Sequence, residues 1–122
     1  MKDFEIQSIR PFIGAKDFKI SRKFYLDWGF IEFKISSKLS YFNLNGFGFY
    51  LQDYYSKEWV DNSMIFLEVE NLEEYHKHLK HLNFISGYTT ARSSAIQRKD
   101  WGREFFVHDP SGILWHVGNF LT

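Results

Sequence analysis

The segment DFKISRKFYLDWGF, residues 17–30, contains one complete capped helix and decides the fold. Asp17 belongs to the residue types that cap helix N-termini, and Gly29 to those that end helices. Between them, apolar and small residues recur at steps of three and four, which predicts a helix from Asp17 to Trp28. The recurring residues are Phe18, Ser21, Phe24, Tyr25 and Trp28. Upstream, the sequence IQSIRPFI at residues 6–13 predicts a strand.

Three strand-like runs follow this helix. They span Phe30–Ile35, Leu39–Leu44 and Phe47–Leu51, and turn-forming residues separate them. The mostly polar stretch 52–62 then predicts a connector.

The same order of elements begins again after the connector. Met64–Val69 predicts a strand, and Asn71 starts a second helix that ends at Asn83. Further strands are predicted at Phe84–Tyr88, Arg103–His108 and Ile113–Gly118, the last two joined by an Asp-Pro-Ser-Gly turn. A shift of 54 residues places Asp17 on Asn71 and Gly29 on Asn83.

This repetition predicts an α+β fold of two tandem βαβββ modules within one domain, residues 1–122. Module 1 covers about residues 5–52 and module 2 about residues 63–120. Each module would pack one amphipathic helix on one face of a curved mixed sheet and leave the other face free. Two such sheets side by side form a cup.

The composition excludes several classes of protein. Fifteen basic and fifteen acidic residues give a net charge of zero without a long basic block, which argues against a general nucleic-acid binder. Absent cysteines exclude disulfides and thiolate sites, and no apolar run is long enough for a membrane span, so we expect a cytoplasmic protein. Aromatic residues make up 20% of the chain, more than a core of this size needs, so several should line a cavity or an interface.

Three motifs resemble the vicinal oxygen chelate superfamily of glyoxalases, extradiol dioxygenases, fosfomycin-resistance enzymes and bleomycin-resistance proteins. They are the helix segment 17–30, the sequence EVENL at 68–72 and the sequence WGREFFVHDPSGILWH at 101–116. In spacing and in Trp101, the chain is most similar to the bleomycin-resistance branch. The resemblance implies the two-module fold and a homodimer whose cups contain residues of both subunits.

Enzymes of that superfamily hold a divalent metal through one residue on each of four strands. In this sequence the four positions fall on Arg10, Leu51 (or Gln52 after a shift of one), Met64 and His116. Arginine has no lone pair to donate, leucine is inert and a thioether suits hard cations poorly. We therefore expect no metal, no other cofactor and no catalysis. The resemblance then implies a protein that sequesters an aromatic or amphipathic compound, such as an antibiotic, as the bleomycin-resistance proteins do.

Seven residues are candidates for binding such a ligand. If His108 pairs with Ile113 across the turn, Phe105 lies opposite His116 and the two share a face with Arg103. Arg10 would pair with Glu68 or with a ligand carboxylate. The full candidate set is Arg10, Trp59, Phe66, Trp101, Arg103, Phe105 and His116.

Two other interpretations stay open. In a glyoxalase- or dioxygenase-type enzyme, the metal ligands would be Gln7, Gln52, Glu68 and His116. In a dimeric interaction module, aromatic rings would fill the cup. Under any of these interpretations, Trp59 in the connector would cover the cup or lie in a subunit interface, and the interface is favoured.

Overall fold

The computed structural model describes residues 3–121 as two open mixed sheets with two long helices and one short one. The elements are β1 (Phe12–Gly14), α1 (Phe18–Trp28), β2 (Ile31–Ser36), β3 (Leu39–Leu44), β4 (Phe47–Gln52), α2 (Lys57–Asp61), β5 (Met64–Glu68), α3 (Leu72–Leu82), β6 (Arg92–Ser93), β7 (Gln97–Lys99), β8 (Gly102–His108) and β9 (Leu114–Phe120). The first sheet has the order β1-β4-β3-β2, and the second β5-β9-β8-β6, with β7 also paired to β8. The predicted α+β fold class is confirmed.

Both helices begin and end where their capping residues predict. The Asp17 carboxylate accepts a hydrogen bond from the Ile20 amide at 3.1 Å, and Gly29 ends α1 in the left-handed region at φ 117°. Asn71 caps α3, and Asn83 ends it at φ 53°. A left-handed residue stops the helix because it turns the chain away from the helical path.

One aromatic core joins the two halves of the chain. Tyr25 and Trp28 of α1 are fully buried, and Trp115 of the second sheet packs against both rings at 5.8 and 4.9 Å between centroids. Phe49 of the first sheet lies 4.8 Å from Tyr25. The helix-packed faces of both sheets therefore share one interior, and their opposite faces point away from it.

The Asp-Pro-Ser-Gly turn is anchored by its own aspartate inside this core. Asp109 is fully buried, and its carboxylate accepts hydrogen bonds from the Tyr25 hydroxyl at 2.7 Å and from the Ser111, Gly112 and Ile113 amides at 2.9 Å each. Burial raises the pKa of Asp109 to about 6, and these donors offset only part of that rise.

This raised pKa predicts a pH-dependent stability. From about pH 4 to about pH 6 the folded chain keeps a proton on Asp109 that the unfolded chain has lost. The contribution of Asp109 to the free energy of unfolding should therefore fall as pH rises, by about 3 kcal/mol. Urea unfolding of the wild type and of Asp109→Asn at each pH measures it as the difference between them. If the stability of the wild type relative to Asp109→Asn instead grew with rising pH, the prediction would be wrong, and the hydrogen-bond donors would keep Asp109 ionised.

Three predicted local elements are wrong. Residues 6–13 form a strand only from Phe12, and of the residues before it Pro11 makes one backbone hydrogen bond, from the Tyr50 amide to its carbonyl oxygen at 2.9 Å. The connector contains α2, whose first turn is capped by the Ser56 hydroxyl. Residues 84–88 form turns rather than a strand, and the strands that pair with β8 in this region are the short β6 and β7.

The register of the last hairpin is shifted by one residue from the prediction. His108 pairs with Leu114 rather than Ile113, so Phe106 lies opposite His116 and Phe105 lies opposite Val117. The reason is the Asp109 anchor, which holds the Ile113 amide within the turn. Because side chains alternate along a strand, this shift moves Phe105 to the other face from His116.

Candidate functional site

The outward face of the second sheet carries a buried acid beneath an exposed imidazole. Glu104 of β8 is only 5% exposed, and its Oε1 lies 2.8 Å from Nδ1 of His116 on β9. Lys99 of β7 lies beside the same carboxylate, with Nζ at 4.0 Å from Oε2. A carboxylate at Nδ1 selects the imidazole tautomer that carries its proton there. The other nitrogen, Nε2, is then a hydrogen-bond acceptor, and it lies 3.5 Å from the Met64 sulfur.

Beside His116 lies a cluster of three partly exposed rings, which we call the ring cluster: Phe66, Trp101 and Phe120. The Phe66 centroid is 5.7 Å from that of Trp101 and 5.4 Å from that of Phe120, and the last two are 5.3 Å apart. Between 37% and 51% of each residue is exposed. Exposed rings in contact form a surface suited to stacking with a planar ligand.

Phe66 also borders a cavity of about 490 Å³. The cavity lies between residues 6–11, the hairpin of β3 and β4, and strand β5. Its size falls within the usual range for small-molecule pockets, and its walls are mostly apolar. The ring cluster and the cavity therefore adjoin at one side chain.

Arg10 belongs to the segment 6–11 that lines this cavity, and it lies over the outward face of the first sheet. Its guanidinium carbon is 3.8 Å from the Tyr41 ring centroid, and Nη1 donates a hydrogen bond to the Tyr50 hydroxyl at 3.1 Å. Within residues 3–121, no carboxylate lies within 4 Å of this guanidinium, so the expected pairing with Glu68 is absent there.

Of the seven predicted site residues, four lie at these two adjoining features: Arg10, Phe66, Trp101 and His116. The expectation that Phe105 and Arg103 share the face of His116 is wrong. Phe105 is fully buried under α3, where its ring lies 4.6 Å from that of His76, and Arg103 pairs with Glu73 of the same helix.

Trp59 lies apart from the ring cluster, on α2. A Cβ on Gly14 would lie 2.7 Å from a carbon of the Trp59 indole, so this ring packs directly on β1. Its ring also contacts Tyr54, with 5.7 Å between centroids. The proposed interface role of Trp59 stays a prediction.

Sequence reasoning missed Glu104, and it gave His108 no role. Both lie on the same face as His116, since His108 pairs with Leu114 two residues along. Burial and the nearby Arg92 lower the pKa of His108. Glu104 could have been recognised as a charged residue inside the strand sequence GREFFVH. Which face of the sheet its side chain lies on depends on the strand register.

The residues at the superfamily's metal positions do not fit a hard divalent ion. Met64 and His116 lie together, but the Arg10 position supplies a cation and Leu51 is buried in the core. Among residues 3–121, no group of three or more histidine, aspartate or glutamate side chains is arranged to hold a metal. The part of the chain that the structure describes also has no helix long and apolar enough to cross a membrane.

No family model matches the sequence, and no curated protein is significantly similar to it in sequence. Solved structures do match the fold. A bleomycin-binding protein from Streptomyces verticillus, complexed with copper(II)-bleomycin, superposes with a TM-score of 0.79 at 17% identity, over 98% of this chain and 100% of the other.

Two further matches represent other branches of the same fold. An antibiotic-binding protein from Streptomyces sp. CB03234 has a TM-score of 0.71 at 14% identity, over 99% of both chains. Lactoylglutathione lyase from Agrobacterium tumefaciens has a TM-score of 0.68 at 16% identity, over 94% of this chain and 95% of the other. The chain therefore has the fold of the glyoxalases and bleomycin-resistance proteins, the vicinal oxygen chelate fold that its sequence motifs predict.

Proposed function

We propose that the protein binds a small aromatic or amphipathic compound, without metal and without catalysis, and protects the cell by sequestering it. The main support is Phe66, which belongs both to the exposed ring cluster and to the wall of the apolar cavity. A ligand there would stack on the rings and bury its apolar body. The antibiotic-binding proteins with the same fold make an antibiotic the first ligand to test.

The Glu104–His116 pair adds a polar contact to this site. With its proton held on Nδ1, His116 presents Nε2 to a hydrogen-bond donor of the ligand, such as a phenol or an amine. A buried carboxylate beneath the ring also favours a nearby positive charge.

A metal-dependent enzyme of glyoxalase or dioxygenase type is the second candidate, favoured by Nε2 of His116, whose contact in the described chain is the Met64 sulfur at 3.5 Å. A metal site in such an enzyme would need further ligand atoms close to this nitrogen. Of its expected ligands, Gln52 lies on the first sheet, whereas Glu68 and His116 lie on the second. Stoichiometric tight binding of Ni²⁺, Zn²⁺ or Mn²⁺ together with turnover would support this candidate against the first.

The chain is proposed to work as a cytoplasmic homodimer, since it has no cysteine to stabilise it outside the cell and leaves two apolar faces uncovered. On the first sheet, Phe12, Ile31 and Phe33 are each about half exposed or more. On the second, Met64 and Phe66 are 65% and 41% exposed. Apolar patches of this kind mark interfaces, and pairing two chains would turn each open face into one wall of a shared cup.

The binding proposal predicts that Phe66→Ala weakens the affinity for its ligand by about tenfold or more, because a central ring is lost from the stack. Quenching of tryptophan fluorescence measures this in titrations with bleomycin-type, quinoxaline-type and mitomycin-type antibiotics. Leu26→Ala is the control, since Leu26 is similarly exposed at 46% but lies on α1. Equal affinities in all three proteins would remove Phe66 from the site.

A further inference from the structure

We infer that the compound bound in the cavity is an aromatic carboxylate whose anionic group binds the Arg10 guanidinium. The inference rests on the proposed function and names the chemical class of its ligand. Among the described residues that line the cavity, Arg10 is the only one charged at neutral pH. A single cation in a mostly apolar wall selects an apolar body with one negative group.

The guanidinium is held in place before any ligand arrives. Tyr41 lies under it at 3.8 Å, and the Tyr50 hydroxyl accepts a hydrogen bond from Nη1. Tyr50 is itself stacked on Phe12 at 4.7 Å. A stacked guanidinium loses little further freedom when it binds a carboxylate, so more of the interaction appears as affinity.

The position of Tyr41 beneath Arg10 depends on a residue without a side chain, Gly48 on the neighbouring strand β4. A Cβ at Gly48 would collide with the Phe42 carbonyl oxygen and would also lie 2.6 Å from the Tyr41 hydroxyl oxygen, so glycine here allows both the close approach of β3 to β4 and the position of the Tyr41 ring across β4. The Asn43 amide then donates to that hydroxyl at 2.9 Å and holds the ring in position. Gly48 and Asn43 thus both contribute to the orientation of the Tyr41 ring, on which the Arg10 guanidinium lies.

The guanidinium keeps donors that no acid of the described chain uses. The face of the first sheet that carries Tyr41 and Tyr50 contains no aspartate or glutamate, because Glu32 lies on the opposite face, where Arg22 binds it at 2.6 Å. Arginine presents its donors as a planar fork that matches the two oxygens of a carboxylate. The aromatic body of the ligand would then extend along the cavity toward Phe66, on the far wall.

Three naphthalene compounds of the same shape test the inference: 2-naphthoate, neutral 2-naphthamide and the cation 2-naphthylmethylammonium. Wild-type protein should bind the carboxylate at least about tenfold more tightly than the amide, as expected for charge-assisted hydrogen bonds. Arg10→Gln should remove this preference, because it weakens binding of the carboxylate far more than binding of the amide. Arg10→Lys, which keeps the charge but loses the fork, should fall between them. Thermal unfolding of each variant checks that it is folded.

The outcomes separate this inference from the proposed function. Equal affinities for carboxylate and amide, both weakened in Phe66→Ala, would overturn the role of Arg10 and leave the binding function standing. A carboxylate preference that survives in Arg10→Gln would also overturn it. Failure of all three compounds to bind would contradict the inference, and failure of the antibiotics as well would contradict the function.

Discussion

Replacing Tyr25 by alanine is expected to lower the free energy of unfolding by about 5 kcal/mol. The ring is fully buried and touches six other aromatic rings of the core. Its hydroxyl donates to Asp109 and accepts from the Trp115 indole at 3.0 Å. The substitution therefore leaves a large cavity, removes one of the four donors to the Asp109 carboxylate and leaves the Trp115 indole N–H without its partner. Since a domain of this size is stable by about 5–15 kcal/mol, the variant should be close to unfolded at room temperature.

Urea unfolding of matched variants measures this effect. Tyr25→Phe keeps the ring and loses only the hydroxyl, so its cost should be about 1–3 kcal/mol. Tyr54→Ala makes the same change at a residue that is 55% exposed and should cost less than about 0.5 kcal/mol. Similar costs for Tyr25→Ala and Tyr54→Ala would contradict the description of one shared core.

Phe33→Glu is expected to dissociate the proposed homodimer. Phe33 lies on the open face of the first sheet and is 53% exposed in the single chain. If that face is covered by a second chain, the new carboxylate loses its water and its charge lies among apolar side chains, which costs several kcal/mol. The dissociation constant should rise about 100-fold or more, which corresponds to about 2.7 kcal/mol.

Sedimentation equilibrium of wild type and variant measures that change. Leu26→Glu is the matched control, because Leu26 is exposed to a similar degree but lies on α1, away from both open faces. It should leave the association state unaltered. A wild-type chain that is monomeric at every concentration, or a dimer that tolerates Phe33→Glu, would contradict the proposed interface.

The parts of the fold that could be predicted from sequence are those set by short-range chemistry. The caps Asp17, Gly29, Asn71 and Asn83 place both long helices to within a residue or two, because each acts on its own helix end. The register of the last hairpin could not be predicted in this way. It depends on how many amides Asp109 binds inside the turn, and that number depends on its burial by the core.

The residues of the candidate site likewise include some that could be predicted from local sequence and some that could not. Phe66 and Trp101 could be assigned to the open face from strand alternation and motif resemblance, and the structure brings their rings into contact. Phe105 was assigned to the wrong face, and Glu104 was missed, because one shift in register exchanges the two faces of β8. The tyrosines that hold Arg10 come from β3 and β4, which no local pattern in residues 6–13 could reveal.

The most direct test of the account is a calorimetric titration of the purified protein with the antibiotics named above, in the presence of a metal chelator. We expect saturable binding of one compound per chain, unaltered by the chelator and weakened in Phe66→Ala. Binding that appears only after a divalent ion is restored, or no saturable binding of any compound, would contradict the proposal of a metal-free binding cup.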